Sequence, residues 1–311
     1  MIETPVVLFV FNRPDLTEIV FNAIARVKPK TLFVIADGPR FPEEVELCKK
    51  TREIINKVDW KCELFTDFSE VNLYATPRIH SGLNWVFSQV EEAIIFEDDC
   101  LPSDSFFTFC EELLSRYRND DRIMHISGNN FQGSHPRTSY SYYFSKYLHG
   151  WGWASWRRAW KHLDLSMKTW SEFKQEGLLD LVCEDRWEKL YWIQVFDRCF
   201  TDGHFEWDYS WLYTGWSQNR LSIIPNVNLV SNIGFRADAT HLKNGNSPLA
   251  NIPAVELENI KHPPCVVRHK EADNYTFDYV FGGKKLKELH TIRGKIAWRI
   301  ERLYEKMKGK I

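Results

Sequence analysis

Short apolar runs alternate with helical patterns over the first 127 residues, and this alternation constrains the fold more than any other feature of the sequence. Apolar runs of strand length and amphipathic stretches of helix length follow one another along the chain. The predicted strands are 6–11, 31–36, 62–66, 93–96 and 123–127, and the predicted helices are 14–27, 45–58, 79–90 and 101–118. This order predicts an α/β fold, with a mostly parallel sheet and flanking helices on both faces.

The second half of the chain has a different composition. Ten of the 13 tryptophans lie between Trp151 and Trp216. Helical patterns cover 171–182 and 185–199, and a pair of strands is predicted near 221–230. We therefore expect two halves, over 1–130 and 131–250. A linker over 251–283 and a terminal helix over 284–311 would follow.

Charge and cysteine usage exclude several classes of protein. The chain has 40 Lys and Arg against 42 Asp and Glu, so a nucleic-acid partner is not expected. The seven cysteines show no metal-binding spacing, which is typical of free thiols in a reducing compartment. No apolar run approaches the roughly 20 residues that span a bilayer, and the N-terminus lacks the pattern of a signal peptide. We expect a cytoplasmic location.

The predicted terminal helix over 284–311 is strongly basic, with ten Lys and Arg against three acids. Apolar residues recur along it at steps of three and four, as in an amphipathic helix. Two interpretations stay open. The helix packs on the body of the protein, or it lies on an anionic membrane as a peripheral contact.

Three consecutive carboxylates, Glu97-Asp98-Asp99, directly follow the fourth predicted strand. Ligands of parallel sheets bind at the carboxyl ends of the strands, which is where these acids are expected. Acids at the start of a helix also favour its macrodipole. Three of them after a buried strand favour a site for Mg²⁺ or Mn²⁺, which bind through carboxylates and substrate phosphate.

Other polar residues follow the first two strands. Asp37, in an Asp-Gly-Pro turn, is placed to accept a hydrogen bond from a base or a ribose, although this turn sequence needs no ligand to explain it. Arg13 and Arg78 are candidate cations for binding a diphosphate. Taken alone, each is more typical of an ordinary surface arginine.

Two further candidates lie in the second half. Asp208 stands among aromatic residues, which suits a general base but also a helix-capping acid. His241, in a polar loop, is a candidate ligand for metal or phosphate, or a solvated histidine. The motifs of P-loop nucleotide hydrolysis, Rossmann dehydrogenases, serine hydrolases and zinc proteases are absent from the sequence.

With these residues in place, the sequence resembles the GT-A glycosyltransferases, which bind nucleotide sugars. More specifically, it resembles the N-acetylglucosaminyltransferase I family of animals and a set of bacterial surface-polysaccharide transferases, over residues 5 to 241. In such enzymes a Glu-Asp-Asp motif follows a strand, as Glu97-Asp98-Asp99 does here. The resemblance implies that Asp99 holds the metal and that Glu97 lies near the ribose. Asp98 would support this site without touching the metal, or would reach the metal through a water molecule.

The resemblance also assigns roles to the other candidates. It implies that Arg13 and Arg78 meet the diphosphate, and that Asp37 reads the uracil. Asp208 would be the base and His241 a ligand of the metal. Residues 1–130 would be the nucleotide-sugar-binding half, and 131–250 the acceptor-binding and catalytic half. Four rings would stack on acceptor sugars, and these are Trp151, Trp153, Trp207 and Trp211.

The implied reaction is a metal-dependent, inverting transfer from a nucleotide-sugar donor, UDP-linked, to a glycan or lipid-linked acceptor. Bacterial surface polysaccharide synthesis is the implied setting. Two alternatives stay open. A sugar-nucleotide pyrophosphorylase shares the fold but carries a glycine-rich loop after its first strand, which 11–14 lacks. A non-catalytic carbohydrate-binding protein explains the tryptophans but not the carboxylates.

Overall fold

The computed structural model describes residues 1–133, 135–201, 206–236 and 247–290. The chain forms two units. The first comprises Met1–Met167 and Phe205–His269, and the second comprises Lys168–His204 and Lys270–Ile311. All the candidate residues that the structure describes belong to the first unit.

Ten strands occur within the described residues. They are β1 (Val6–Val10), β2 (Thr31–Ala36), β3 (Glu63–Phe68), β4 (Glu92–Glu97), β5 (Cys100–Pro102), β6 (Ile123–Ser127), β7 (Tyr142–Ser145), β8 (Trp153–Trp156), β9 (Leu221–Pro225) and β10 (Val230–Asn232). Eight form one sheet in the order β3-β2-β1-β4-β8-β6-β9-β7. In it β8 runs antiparallel to β4 and β6, and β7 runs antiparallel to β9. The other two, β5 and β10, form a small antiparallel ladder.

The central strands are apolar because both faces of the sheet are covered. Every residue of β1 is buried, as are five of the six residues of β2. Strands β3, β2, β1 and β4 are parallel to one another, so their carboxyl ends lie along one edge. This edge carries the candidate residues that follow β1, β2 and β4.

The described helices are α1 (Pro14–Val27), α2 (Val45–Glu53), α3 (Ala75–Gln89), α4 (Asp104–Arg116), α5 (Arg157–Trp160), α6 (Trp170–Gln175), α7 (Leu179–Val182), α8 (Arg186–Thr201), α9 (Trp207–Ser217), α10 (Lys270–Tyr279) and α11 (Gly283–Leu289). Helix α1 begins at Pro14, whose missing N–H is not needed in the first turn. Lys28 caps its C-terminus in the left-handed conformation, and the backbone N–H of Lys28 donates to the carbonyl of Ile24. Among the described helices, none combines the length and the apolar character needed to cross a membrane.

The second unit contains α6, α7, α8, α10 and α11. Its core includes Trp170 and Trp192, and Trp170 donates through its indole N–H to Asp197 at 2.9 Å. Trp187 stacks on His290 with ring centroids 4.1 Å apart. Helix α10 lies inside the range 251–283, for which the sequence predicts a linker. Of the predicted terminal helix, α11 is described, and residues 291–311 lie outside the described ranges.

The predicted fold class, a mostly parallel α/β sheet with flanking helices, is confirmed. Two local predictions are wrong. The strands near 221–230 do not pair, because β9 joins the main sheet while β10 pairs with β5. The helix predicted at 101–118 starts only at Asp104, because Cys100–Pro102 forms β5. Pro102 disfavours a helical conformation in the residue before it.

Candidate functional site

The centre of the candidate site is the acidic segment at the carboxyl end of β4. Asp98 and Asp99 are both buried, and Glu97 is partly exposed. Arg13, just beyond β1, bridges the two aspartates. One of its terminal nitrogens pairs with Asp98, and the other lies 3.0 Å from Oδ2 of Asp99. The pairing of β1 with β4 brings these residues together, as the sequence predicts for Arg13 and the acidic segment.

The acidic segment is short of positive charge. Burial, together with the charges of Asp99 and Asp98, raises the pKa of Glu97 to about 8. Burial also raises the pKa of Asp98, to about 6, although Arg13 opposes the shift. Burial alone would lower the pKa of Arg13, but the charges of Asp98 and Asp99 outweigh it and raise that pKa above its ordinary value. One guanidinium therefore does not balance three carboxylates.

The carboxylate oxygens of the acidic segment fit a divalent cation. Carboxylate oxygens are the ligands that Mg²⁺ and Mn²⁺ prefer, and a nucleotide-linked ion needs only one or two of them besides phosphate. Within the described part of the chain, no three His, Cys, Asp or Glu side chains surround a common metal position. An ion bound here would therefore take its remaining ligands from the phosphates of a bound nucleotide and from water.

A turn after β10 packs against Asp99, and the sequence did not single out its contacts. The N–H of Ile233 donates to the carbonyl of Asp99 at 2.9 Å. Asn232 donates through Nδ2 to Oδ1 of Asp99 at 3.4 Å and accepts the N–H of Gly234 at 2.8 Å. A Cβ on Gly234 would lie 2.2 Å from Oδ2 of Asp99. His241, the predicted ligand in the same loop, lies outside the described residues.

Asp37 organises the neighbouring end of β2. Its Oδ1 accepts the N–H groups of Gly38 and Leu73, both at 2.9 Å. Burial raises the pKa of Asp37, while these two hydrogen bonds oppose the shift. A Cβ on Gly38 would lie 2.5 Å from the backbone of Val71, so only glycine fits this approach. The carboxylate thus holds the loop that lines this part of the edge.

Arg78 lies on α3 beneath the same edge and is buried. Its Nε donates to the carbonyl of Ala36 at 3.2 Å, and its terminal nitrogens donate to the side chain and carbonyl of Asp67. Its charge stabilises the ionised form of Asp37. Arg78 is therefore grouped with Asp37, and Arg13 is the cation hydrogen-bonded to the acidic segment.

Asp208 occupies the first turn of α9. The preceding residue, Trp207, donates its N–H to Oγ1 of Thr76 at 3.2 Å, which fixes the start of α9 against α3. Asp208 is close enough to the acidic segment that its charge helps to raise the pKa of Glu97. The charge of the predicted base is thus within electrostatic range of one of the predicted carboxylates, Glu97.

The four predicted stacking rings differ in burial. Trp153 and Trp211 are 2% and 0% exposed, and Trp207, at 8%, stacks on Trp153 with ring centroids 5.4 Å apart. Sugar stacking needs an open ring face, and these three rings are covered by protein. Trp151 is partly exposed. Its ring and that of Phe235 are in a T-shaped arrangement with centroids 5.5 Å apart. The acceptor-stacking hypothesis therefore stays with Trp151.

A buried histidine, which the sequence analysis missed, explains the position of Trp211. The indole N–H of Trp211 donates to Nδ1 of His125 at 3.3 Å, and Nε2 of His125 lies 3.1 Å from the carbonyl of His149. Burial lowers the pKa of His125 to about 3, so its ring is neutral. Trp153 stacks on the same ring at 5.0 Å. These residues form a support beneath the site.

Comparison with known proteins gives matches to solved structures only. No protein-family model and no curated protein matches the chain. The mannosyltransferase PcManGT from Pyrobaculum calidifontis, solved with GDP-Man and Mn²⁺, is 14% identical, with a TM-score of 0.35 over 50% of this chain and 45% of that one. TarS 1–349 from S. aureus is 10% identical, with a TM-score of 0.41 over 73% and 59%. An active-site mutant of LgtC is 10% identical, with a TM-score of 0.39 over 94% and 100%.

The chain thus spans about half the length of the first two of these proteins. At this identity a similarity concerns the fold alone, and TM-scores below 0.5 are too low to transfer an activity. The closer resemblance to N-acetylglucosaminyltransferase I stays a prediction. The function has to be inferred from the chain's own residues.

Proposed function

We propose that the protein is a metal-dependent, inverting glycosyltransferase with a UDP-sugar donor and a glycan or lipid-linked acceptor. The observation that carries the proposal is the group of undercompensated carboxylates at the carboxyl end of β4, two of which pair with Arg13, with the charge of Asp208 within electrostatic range of Glu97. A site for donor, cation and base needs this combination. Synthesis of a bacterial surface polysaccharide is the setting that the sequence resemblance favours.

Binding of the donor would use the carboxyl ends of β1, β2 and β4. Asp37 would receive the uracil, Glu97 the ribose, and Arg13 the diphosphate. Every guanidinium nitrogen of Arg78 already donates to Ala36 or Asp67, so its part is to support the edge and add positive field. Asp99, backed by Asp98, would hold Mn²⁺ or Mg²⁺. The ion supplies Lewis-acid stabilisation of the departing diphosphate.

Asp208 would act on the acceptor. A carboxylate oxygen of Asp208 takes the proton of the acceptor hydroxyl as that oxygen bonds to the anomeric carbon. The bond from the anomeric carbon to the diphosphate breaks on the opposite side, so the configuration is inverted and UDP leaves. Trp151, which is partly exposed, would contact the acceptor sugar.

A screen of nucleotide sugars with Mn²⁺, with or without chelator, tests this proposal. Wild type should hydrolyse or transfer one UDP-sugar only when metal is present. Asp208→Asn should abolish transfer, while Asp121→Asn should not, because Asp121 is an exposed acid before β6, at the opposite edge of the sheet. If Asp208→Asn keeps near-full transfer activity, the base is assigned wrongly.

The same screen separates the two alternatives. A pyrophosphorylase would form a nucleotide sugar from a sugar 1-phosphate and a nucleoside triphosphate, with release of pyrophosphate. A carbohydrate-binding protein would bind sugars without binding UDP. Either result would replace the transferase proposal.

We also propose that residues 284–311 place the enzyme on the cytoplasmic face of an anionic membrane. The basic amphipathic sequence supports this. Flotation with phosphatidylglycerol vesicles should recover wild type but not a chain that ends at Gly283. Equal recovery of the two chains would refute the membrane contact.

A further inference from the structure

Arg13 occupies the place of a cation at the acidic segment. Its two terminal nitrogens are divided between two carboxylates, one against Asp98 and one 3.0 Å from Oδ2 of Asp99. Asp99 is the residue proposed to hold the divalent ion. A metal bound at about 2.1 Å from a carboxylate oxygen would face this guanidinium at close range. The two cations repel each other, so they compete for Asp99.

Asp99 itself has little room to turn away from Arg13. Its Oδ1 lies 3.4 Å from Nδ2 of Asn232 and 3.5 Å from Sγ of Cys100. Its Oδ2 lies where a Cβ on Gly234 would approach to 2.2 Å, so the backbone of the turn closes that side. Relief of the competition must therefore come from movement of Arg13.

Arg13 can make that movement without a change of the backbone. Its carbonyl accepts the N–H of Thr17 at 2.9 Å, which fixes it at the start of α1, while its side chain remains 21% exposed. The Asp98 side chain is only 3% exposed and also accepts the N–H of Phe11 at 3.4 Å. A diphosphate offers two oxygens in the geometry that a guanidinium prefers. The donor can thus draw one arm of Arg13 off Asp99 while Asp98 keeps the other.

We propose that Arg13 makes the binding of metal and of nucleotide diphosphate interdependent, because it covers Asp99 until a diphosphate attracts it. The inference rests on the proposed function and deepens it. Coupling between two ligands is reciprocal: a diphosphate that tightens metal binding is itself bound more tightly when metal is present. Free metal then binds weakly, and the site is completed only when the nucleotide arrives.

Titration of Mn²⁺ with and without UDP tests the inference, with free Mn²⁺ measured by its paramagnetic resonance signal. In wild type, UDP should tighten Mn²⁺ binding about tenfold or more. In Arg13→Gln, Mn²⁺ alone should bind about tenfold tighter than to wild type, and UDP should tighten Mn²⁺ binding less than it does in wild type, because only the phosphate ligands of the ion still couple the two. Arg13→Lys keeps the positive charge but loses the two-armed guanidinium group, and should give intermediate coupling between Mn²⁺ and UDP binding.

Arg26→Gln is the matched control, since Arg26 forms an exposed pair with Asp104 at the far end of the helix that follows Arg13. It should behave as wild type. If Arg13→Gln, folded by circular dichroism, binds Mn²⁺ alone no tighter than wild type, the inference is wrong. If Arg13→Gln does not fold, unchanged coupling in Arg13→Lys refutes it. A wild-type chain that binds Mn²⁺ but no UDP contradicts the proposed function instead.

Discussion

Replacement of Gly234 by alanine should damage the site through a single added methyl group. The new Cβ would lie 2.2 Å from Oδ2 of Asp99 and 2.8 Å from its Cβ and Cγ. Asp99 cannot retreat easily, because Asn232 and Arg13 contact its two oxygens. Overpacking of this kind costs about 1–3 kcal/mol. If that cost falls on the bound geometry of Asp99, Mn²⁺-dependent UDP binding should weaken about ten- to hundredfold.

Isothermal titration of UDP in the presence of Mn²⁺ measures this loss, and Gly150→Ala is its control. A Cβ on Gly150 would meet the ring of Trp207 at 3.5 Å, which is an ordinary contact. Gly150→Ala should therefore bind UDP as wild type does. If Gly234→Ala also binds UDP with wild-type affinity, the turn does not position Asp99 and the account of this site is wrong.

Three further outcomes follow from burial and charge. Burial and the neighbouring aspartates raise the pKa of Glu97 from 4.5 to about 8, so the folded chain holds a proton there that the unfolded chain has lost. The free energy of unfolding of the metal-free protein should therefore fall as the pH rises from about 5 to about 8, and denaturant titrations of Glu97→Gln should show a smaller fall. An equal fall in both proteins would contradict the assignment. Trp153→Ala should lower the free energy of unfolding by about 3–5 kcal/mol, as expected for a buried ring. Trp151→Ala should raise the acceptor KM with a smaller loss of stability, and an unchanged KM would count against its role.

The sequence predicts strands β1 to β4 well because its signals there are local, whereas β7 and β8 of the same sheet were not predicted. Strand β2 was predicted at its observed bounds, Thr31–Ala36, since an apolar run between turn residues marks a buried strand. The meeting of Arg13 with the acidic segment was predictable for a related reason. Parallel strands bring their carboxyl ends together whatever the intervening helices contain.

The rest of the site depends on contacts between distant parts of the chain. Asn232 lies 133 positions from Asp99, and no local pattern marks it as a partner. The sequence predicted that the strands near 221–230 pair with each other, whereas β10 pairs with β5 and so brings Asn232 to Asp99. The prediction was wrong because a short apolar run does not show which strand it pairs with. The amino-acid composition likewise could not predict that Trp153 is buried. A tryptophan beside glycines has the same sequence signature whether its ring is stacked on His125 or exposed.

The affinity of UDP for wild type and for Asp99→Ala, each with and without Mn²⁺, shows whether the carboxyl end of β4 is a metal-dependent nucleotide site. Mn²⁺ should tighten UDP binding to wild type at least about tenfold and have little effect on Asp99→Ala. Asp208→Asn should keep the wild-type response, because Asp208 acts on the acceptor. If Mn²⁺ leaves UDP affinity unchanged in wild type, or tightens it equally in Asp99→Ala, the carboxyl end of β4 is not a metal-dependent nucleotide site.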